Sequence, residues 1–314
     1  MLRIGIDLGG TGIKTGLVDE NGSILCTCET PTLAKRHYSE VIRDMADCAL
    51  KLLDKAHVTL SDIASVGVGV PGVYDAKTGI ILCCPNLGWR QVPFKKEFTQ
   101  YINLPLYVDN DATVAGYAEY VAGSSKGTEN SLFLTLGTGV GGGIILNGKP
   151  FSGSHGLGGE VGHVIFRLHG DKCSCGNEGC LERYCSATAL INMAKAGLAS
   201  HPDSAVYAAC EGDPERINAK IVFDAAKAGD TFGLALFNEY VNNLAQAIGS
   251  LMQIFDPEMV VLGGGVSKAG TFLTDELNRQ IPNYLLYKDA VYGSVTIASL
   301  GADAGIIGAA MLGK

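Results

Sequence analysis

The sequence predicts an α/β protein with two lobes and an internal repeat. Two stretches share the pattern of a strand, a Gly-Thr-Gly turn and a return strand, one near residue 10 and one near residue 138. A repeat of about half the chain indicates a duplicated architecture. The chain has 314 residues, which is more than one simple core needs and enough for two domains.

The first half of the chain alternates strand and helix patterns. Short apolar runs predict strands, and apolar residues spaced three and four apart predict helices. The predicted elements are strands over 2–7, 13–18 and 23–29, a helix over 38–56, strands over 66–70 and 106–108, and a helix over 111–121.

The second half repeats the opening pattern and then becomes mainly helical. Its predicted elements are strands over 131–136 and 141–146, a long helix over 231–255, a strand over 259–262 and a final helix over 302–312. Because of the repeat we place the lobe boundary near residue 115. Residues 1–115 then form a small N-terminal lobe on which the last helix, within 302–314, packs, and residues 116–301 form a larger C-terminal lobe.

Composition and charge argue against two classes of protein. Hydrophobic residues make up 47% of the chain, but no run approaches membrane-spanning length, so we expect a soluble protein. The net charge is −8 and no Lys/Arg cluster is present, which argues against nucleic-acid binding. The ten cysteines include scattered single residues, and no signal segment opens the chain, so we expect a reducing, cytoplasmic location.

Three glycine loops each follow a predicted strand. Their backbone amides can surround phosphate oxygens, and threonine hydroxyls add donors. One such loop is more often a tight turn, whereas two matched loops in matched halves favour phosphate binding. Neither hairpin loop has the Gly-Lys-Ser/Thr of a Walker A motif or the following helix of a dinucleotide fingerprint. The candidate residues are Gly9, Gly10, Thr11, Gly137, Thr138, Gly139, Gly264 and Gly265.

Two charged residues flank the first loop. Asp7 ends its strand, where a carboxylate can hold Mg²⁺ directly or through water while the metal bridges nucleotide phosphates. The alternative is an aspartate that caps the turn. Lys14, on the return strand, can reach a phosphate or can be a solvated strand lysine.

Asp111 stands where a strand ends and a helix begins, directly after Asn110. A carboxylate in this position can accept a hydroxyl proton as the oxygen attacks phosphorus, and the helix N-terminus keeps it ionised. Asp111 can equally be a simple N-cap, and the sequence leaves both interpretations open.

A group of metal-ligand residues follows the second glycine loop. Three cysteines and one histidine are the ligands of a closed tetrahedral zinc site, and glycines between the last two cysteines let the chain turn back toward one ion. Close cysteines can also be disulfides or core thiols, and Cys185 can replace the histidine as the fourth ligand. The candidate ligands are His163, Cys173, Cys175 and Cys180.

Polar residues near this group suit a sugar. Glu160 and Glu182 bracket it, although zinc does not need them and each can be a solvated surface charge. Together with His163 they can form hydrogen bonds to adjacent hydroxyls. Asn86 is a further candidate, and Trp89, the only tryptophan, can stack on a sugar face or fill the core.

These motifs resemble those of the ROK family (repressor, open reading frame, kinase) of the actin-like ATPase superfamily. Asp7-Leu-Gly-Gly-Thr11 resembles the first phosphate motif, Leu136-Gly-Thr-Gly-Val-Gly141 the second, and Gly263-Gly-Gly-Val266 the adenosine motif. Glu160-Val-Gly-His163 and the stretch from Cys173 to Glu182 resemble the highly specific family signature. The resemblance covers essentially the whole chain. It implies a two-lobed actin-like ATPase (ribonuclease H-like) fold, with a zinc-binding loop in the second lobe.

The resemblance also implies roles for individual residues. By it Asp111 is the catalytic base, structural Zn²⁺ is bound by the four candidate ligands, and His163 serves both metal and sugar. ATP with Mg²⁺ is the implied phosphoryl donor, and whether polyphosphate replaces ATP stays open. The implied hexose contacts are Asn110, Asp111, Glu160, His163 and Glu182.

We therefore expect ATP-dependent phosphorylation of the 6-hydroxyl of a hexose, with glucose as substrate. The alternatives are a kinase for N-acetylmannosamine or another hexose or N-acylhexosamine, and, from a different class, a non-catalytic sugar-sensing regulator. Family repressors carry a helix-turn-helix segment before the first phosphate loop, and the six residues before Asp7 leave no space for one. We expect a homodimer that binds sugar and ATP but neither nucleic acid nor membrane.

Overall fold

A computed structural model describes all 314 residues of the chain as thirteen strands and ten α-helices. The strands are β1 (Leu2–Leu8), β2 (Gly12–Val18), β3 (Ile24–Pro31), β4 (Ile63–Val70), β5 (Val73–Asp75), β6 (Ile80–Cys84), β7 (Trp89–Val92), β8 (Leu106–Asn110), β9 (Ser131–Leu136), β10 (Val140–Leu146), β11 (Lys149–Pro150), β12 (Met259–Gly263) and β13 (Ser294–Ile297). The helices are α1 (Tyr38–Ala56), α2 (Phe94–Phe98), α3 (Asp111–Ala122), α4 (Glu182–Cys185), α5 (Ala187–Leu198), α6 (Ala205–Ala209), α7 (Ala219–Lys227), α8 (Thr231–Phe255), α9 (Thr271–Gln280) and α10 (Ala304–Met311).

Two five-stranded sheets have the same arrangement of strands. The first has the order β3-β2-β1-β4-β8, in which the hairpin strands β1, β2 and β3 are antiparallel and β1, β4 and β8 are parallel. The second has the order β11-β10-β9-β12-β13, with β10 and β11 antiparallel and β12 and β13 parallel. The internal repeat predicted from the sequence is therefore confirmed.

The longest helices follow the predicted boundaries, whereas no ranges were predicted for helices α2, α4, α5, α6, α7 and α9 or for strands β5, β6, β7, β11 and β13. α1 and α8 cover the predicted ranges, because their apolar residues repeat over many turns. β4 begins at Ile63, three residues before the predicted start at residue 66. A third sheet, β5-β6-β7, was not predicted, because strands of three to five residues leave too short a pattern.

Helix α10 packs directly on the first sheet through backbone contacts. A Cβ atom on Gly67 of β4 would lie 1.7 Å from the carbonyl oxygen of Ala309, so only glycine permits this approach. Ile306, Ala309 and Met311 are buried in the same packing. The small residues of this helix thus bring its N-terminus, at Ala304, close to the end of β1, where the first glycine loop begins.

The chain forms two compact units. Unit 1 comprises Met1–Phe133, Gly143–Gly159 and Ser299–Lys314. Unit 2 comprises Leu134–Gly142 and Glu160–Ala298. The boundary that we place near residue 115 stays a prediction.

None of the helices combines the length and the apolar character that a membrane crossing requires. All ten cysteines are free thiols.

Candidate functional site

The first glycine loop joins β1 to β2 in unit 1 and is fixed by the residue that follows β3. The Gly9 N–H donates to the Gly12 carbonyl oxygen at 2.9 Å. Thr32 donates its hydroxyl to the Gly9 carbonyl oxygen at 2.6 Å and its N–H to that of Thr11 at 3.0 Å. Gly10 and Thr11 are exposed, so this part of the loop is open to a ligand.

Asp7 and Lys14 are directly opposite each other on β1 and β2, next to this loop. Burial raises the pKa of Asp7 above its ordinary value, and the charge of Lys14 opposes this shift. Gly305 of α10 lies against the carboxyl group, because a Cβ atom there would be 2.6 Å from Cγ and Oδ2 of Asp7. A carboxylate held in this way beside a glycine loop provides the oxygen donors that Mg²⁺ prefers.

Asn110, rather than Asp111, is the N-cap of α3. The Asn110 Oδ1 accepts from the N–H groups of Ala112 at 2.9 Å and Thr113 at 3.3 Å. Asp111 is the first residue of the helix and is exposed, and its Oδ1 accepts from the Ala112 N–H at 2.8 Å. The helix N-terminus favours the ionised form of such a carboxylate.

In unit 1, Asn110 lies near Gly72 and Asp111 lies near Cys84, the last residue of β6. The Asn110 Nδ2 donates to the Gly72 carbonyl oxygen at 3.5 Å. Burial, and to a lesser extent the charge of Asp111, raises the pKa of Cys84 to about 12. Asn86 follows two residues later, in the 3₁₀ turn Pro85–Leu87. Its Cβ lies 3.9 Å from the place that a Cβ on Gly10 would occupy.

Near these positions, the structure decides the role of Trp89 and adds Asp109 as a residue of interest. Trp89 is 5% exposed and packs in the core of unit 1, which decides its open interpretation in favour of core packing. Asp109, which the sequence analysis did not single out, accepts a hydrogen bond from the Ser152 hydroxyl at 2.6 Å and one from the Asn110 N–H at 2.8 Å. Burial raises the pKa of Asp109. Its contacts position the residues that follow it.

The second and third glycine loops lie together in unit 2. The Gly137 carbonyl oxygen accepts from the Ala187 N–H at 2.9 Å, and that of Thr138 accepts from the Thr188 hydroxyl at 2.8 Å. Gly264 has a φ of +81°, and a Cβ atom on it would lie 2.5 Å from the carbonyl oxygen of Leu136, the residue before the second loop. Gly265 has open space around it.

The four predicted metal ligands come together in unit 2. The ligand atoms of His163, Cys173, Cys175 and Cys180 all lie within 4.8 Å of one another. The Cys173 Sγ is 3.7 Å from the His163 Nδ1, and the Cys175 Sγ is 3.6 Å from the Cys180 Sγ, too far for a disulfide bond. Cys185 is not part of the group, so the fourth candidate ligand is His163 and not Cys185.

The donor set fits zinc. Three thiolates and one imidazole select Zn²⁺ over the hard cations. Hydrogen bonding from the Asn177 backbone lowers the pKa of Cys175, whereas burial raises that of Cys180 to about 12. A cation in the group would therefore displace protons as it binds.

Backbone bonds and α8 hold the metal loop in place. Gly179 has a φ of +78°, and a Cβ atom on it would lie 1.7 Å from the Arg167 carbonyl oxygen, so the turn before Cys180 requires glycine. The Arg167 guanidinium lies 4.3 Å from the Tyr184 ring and donates to the Oδ1 of buried Asn243 on α8 at 2.7 Å. Arg167 and Asn243 were not predicted from the sequence, because no local sequence pattern indicates a contact between residues 76 positions apart.

Glu182 connects the metal group with the second glycine loop. Its Oε2 accepts from the Val140 N–H at 3.1 Å, and its Oε1 lies 3.8 Å from the Cys173 Sγ. A Cβ atom on Gly139 would lie 2.2 Å from the same Oε2. Glu160 precedes the 3₁₀ turn that contains His163 and is exposed.

Two matched mixed sheets with glycine loops and a Cys₃His group define the class of this protein as an actin-like α/β fold with a zinc-type loop. The chain belongs to the ROK family, whose sequence model matches residues 3–314. The fold class and the family resemblance predicted from the sequence are thereby confirmed.

Similar proteins include several glucokinases. A glucokinase of Halalkalibacterium halodurans is 38% identical over 99% of this chain and 94% of its own length. A glucokinase of Thermotoga maritima is 37% identical over 99% of this chain and 96% of its own length. The crystal structure of a ROK family glucokinase from Streptomyces griseus, in complex with glucose and AMPPNP, has a TM-score of 0.81 and 33% identity over 99% of both chains. Identities of this size do not fix a substrate.

Proposed function

We propose that the protein is an ATP-dependent kinase that phosphorylates the 6-hydroxyl of a hexose, with glucose as its substrate. The observation that carries this proposal is the position of Asp111. It opens α3 as an exposed carboxylate, while Asn110 takes the capping role that was the alternative explanation for it. The similarity to glucokinases supports glucose as the hexose.

Asp111 acts as the general base in this proposal. In-line attack of a hydroxyl on the γ-phosphoryl group is mainly a problem of positioning and charge. The ionised carboxylate at the start of α3 accepts the hydroxyl proton during attack. Asn110, held by its bonds to the first turn of α3 and to Gly72, orients the sugar beside it.

The glycine loops and Asp7 hold the nucleotide. The backbone amides of the first two loops bind phosphate oxygens, and the third loop lies along the adenosine. Asp7 holds Mg²⁺, which offsets phosphate charge when it is bound, and Lys14 supplies a fixed positive charge beside it. The proposed nucleotide contacts are Asp7, Gly9, Gly10, Thr11, Lys14, Gly137, Thr138, Gly139, Gly264 and Gly265.

The zinc group shapes the sugar site in this proposal. Glu182 lies 3.8 Å from the Cys173 Sγ and accepts a hydrogen bond from the Val140 N–H, so a zinc ion held by His163 and the three cysteines would help to fix its direction. His163 would serve both the metal and the sugar. The proposed hexose contacts are Asn86, Asn110, Asp111, Glu160, His163 and Glu182. We further propose that the protein acts in the cytoplasm as a homodimer.

The experiment is an ADP-release assay with glucose, mannose, fructose, allose, N-acetylglucosamine and N-acetylmannosamine. We expect the highest kcat/KM for glucose. A higher value for an N-acyl sugar would replace glucose by that substrate, and no ADP release with any sugar, despite sugar binding, would favour the sugar-sensing regulator.

The role of Asp111 has its own test. Asp111→Asn should retain glucose binding and lose turnover by roughly 10²–10⁴-fold, the range for a general base. The matched control is Asp203→Asn, which makes the same change at an exposed residue of unit 2 and should leave both unchanged. Undiminished turnover in Asp111→Asn would show that another group accepts the proton.

A further inference from the structure

Glu119 is a fully buried carboxyl group that the proposed mechanism does not use. It belongs to the last turn of α3 and is 0% exposed. Taking a carboxylate out of water is costly unless hydrogen bonds replace the lost hydration. A carboxyl group in this position therefore indicates that the fold, or the activity, depends on the contacts that it makes.

Both carboxylate oxygens of Glu119 accept hydrogen bonds. The Oε2 accepts from the Ser124 N–H at 2.7 Å and from the Ser299 hydroxyl at 3.1 Å. The Oε1 accepts from the Leu300 N–H at 2.9 Å. An ionised carboxylate can only accept hydrogen bonds, and these three partners all donate.

The turn after α3 is built around this carboxyl group. The Glu119 carbonyl oxygen accepts from the N–H groups of Gly123 at 3.0 Å and Ser125 at 3.1 Å. The N–H of Ser124, which lies between them, is the one that the side chain binds. A Cβ atom on Gly123 would lie 2.0 Å from the Oε2, so only glycine leaves room for the carboxyl group. The carboxyl group is thus held in one orientation.

The other two partners lie far from α3 in the sequence. Unit 1 consists of three stretches of chain, and Ser299 is the first residue of the last one. Leu300 precedes the 3₁₀ turn Gly301–Asp303, and the Asp303 N–H donates to the Leu300 carbonyl oxygen at 3.2 Å. Helix α10 follows this turn directly. The buried carboxyl group therefore fixes the chain where it leads into α10.

The residues that follow meet the two charged groups beside the first glycine loop. Asp303 lines a cavity of about 200 Å³ together with Lys14. Gly305 lies against the carboxyl group of Asp7, because a Cβ atom on it would be 2.6 Å from the Asp7 Cγ. Residues 301–303 are exposed, so burial does not hold them in place. The hydrogen bonds at the start of this segment thus determine where the turn lies.

We propose that Glu119 is a positioning residue for phosphoryl transfer, which acts through the start of α10 on Asp7 and Lys14. This role rests on the proposed function, in which Asp7 holds Mg²⁺ and Lys14 supplies a positive charge beside it. Hydrogen bonds are directional, so the three bonds orient the exposed turn in a way that the packing of α10 on the sheet does not. Being buried, Glu119 itself touches neither sugar nor nucleotide.

The variant Glu119→Gln tests this role, because its amide nitrogen cannot accept and at least one of the three bonds is lost. We expect kcat per folded molecule to fall by about 10-fold, within the range for a misplaced active-site group, while the KM for the hexose stays within twofold. The Mg²⁺ concentration that gives half the maximal rate should rise. A change transmitted through α3 to Asp111 would raise the KM for the hexose as well, and that result would contradict the route through α10.

Two measurements on the full-length protein need no turnover. Hydrogen exchange without ligands should be faster over residues 299–303 in Glu119→Gln and unchanged in the first turn of α3. Calorimetry should show binding of a non-hydrolysable ATP analogue with Mg²⁺ weakened by about 10-fold, as for groups that orient metal ligands. If the unsubstituted protein binds this nucleotide but phosphorylates no sugar, the proposed function fails and the calorimetry still decides on Glu119. Absence of nucleotide binding by the unsubstituted protein would overturn both.

Ser299 supplies a milder pair of variants in case Glu119→Gln does not fold. Ser299→Ala removes one hydrogen bond and should lower kcat by about threefold, whereas Ser299→Thr keeps the hydroxyl and should stay within twofold. Leu52→Ala is the control for lost stability alone, since Leu52 is buried on α1 in the core of unit 1 and should keep its kcat per folded molecule. An unchanged kcat in Glu119→Gln or in Ser299→Ala, or an equal fall in Leu52→Ala, would overturn the proposal.

Discussion

The substitution Gly305→Ala tests whether Asp7 must be held where it is. The added Cβ atom would lie 2.6 Å from Cγ and Oδ2 of Asp7, about 0.8 Å closer than the 3.4 Å at which ordinary contact begins. Either the carboxyl group or α10 must move by about that distance. α10 is packed backbone to backbone on the sheet, so we expect the carboxyl group to move.

The expected effect is on the chemical step. A misplacement of about 1 Å in an active-site group costs up to ~10²-fold, so kcat should fall by roughly 10- to 100-fold, while the KM for the hexose changes little. The free energy of unfolding should fall by ~0–2 kcal/mol, because overpacking costs ~1–3 kcal/mol and alanine favours the helix by ~1 kcal/mol.

The assay is steady-state kinetics with varied Mg²⁺, together with urea unfolding. Gly16→Ala is the matched control, because its Cβ would lie 2.4 Å from the Ile306 Cγ2 under the same helix without meeting Asp7. It should lose stability but keep its kcat per folded molecule. If Gly305→Ala keeps kcat within twofold of the unsubstituted protein, Asp7 does not need this position and the reasoning is wrong.

Three further predictions concern charge and metal. Asp7→Asn should abolish turnover yet raise the free energy of unfolding at pH 7, because burial raises the pKa of Asp7 and the folded protein binds its proton more tightly than the unfolded chain. This gain in the free energy of unfolding should shrink as the pH falls toward 3.8, the ordinary pKa of aspartate. Urea unfolding at several pH values measures it, and a difference between the variant and the unsubstituted protein that does not change with pH would contradict the prediction. Cys175→Ser should reduce bound zinc, measured by metal analysis, and raise the KM for glucose by about 10-fold or more, as a lost ligand costs affinity and order together; Cys26→Ser, outside the group, should do neither. Asn243→Ala should lower the free energy of unfolding by ~1–3 kcal/mol and weaken zinc binding, because it removes the hydrogen bond from the Arg167 guanidinium. The control Asn238→Ala changes an exposed residue of the same helix and should alter neither quantity. Thermal unfolding and zinc titration measure the two effects.

The cap of α3 shows where sequence reasoning stopped. The sequence placed Asn110 and Asp111 at the start of a helix and offered Asp111 as a possible N-cap, whereas the structure gives that role to Asn110. Only the backbone geometry decides, because the N-cap must have an extended conformation, as Asn110 does with φ −62° and ψ 145°. The same applies to the candidate metal group, since Cys185 lies close in sequence to the four residues that come together but, in α4, is not one of them.

The sequence by itself determined the features that depend on local pattern. These are the repeated hairpins, the long helices α1 and α8, the glycine loops and the ligand types of the metal group, because periodicity and residue chemistry are readable within a few turns of chain. Tertiary structure alone decided the contacts between distant residues. Arg167 meets Asn243, Gly305 lies against Asp7, and residues 34–38 line one cavity together with residues 86–90. The physical reason is that packing, burial and unpartnered donors arise only when distant segments meet, and no local pattern encodes which segments do.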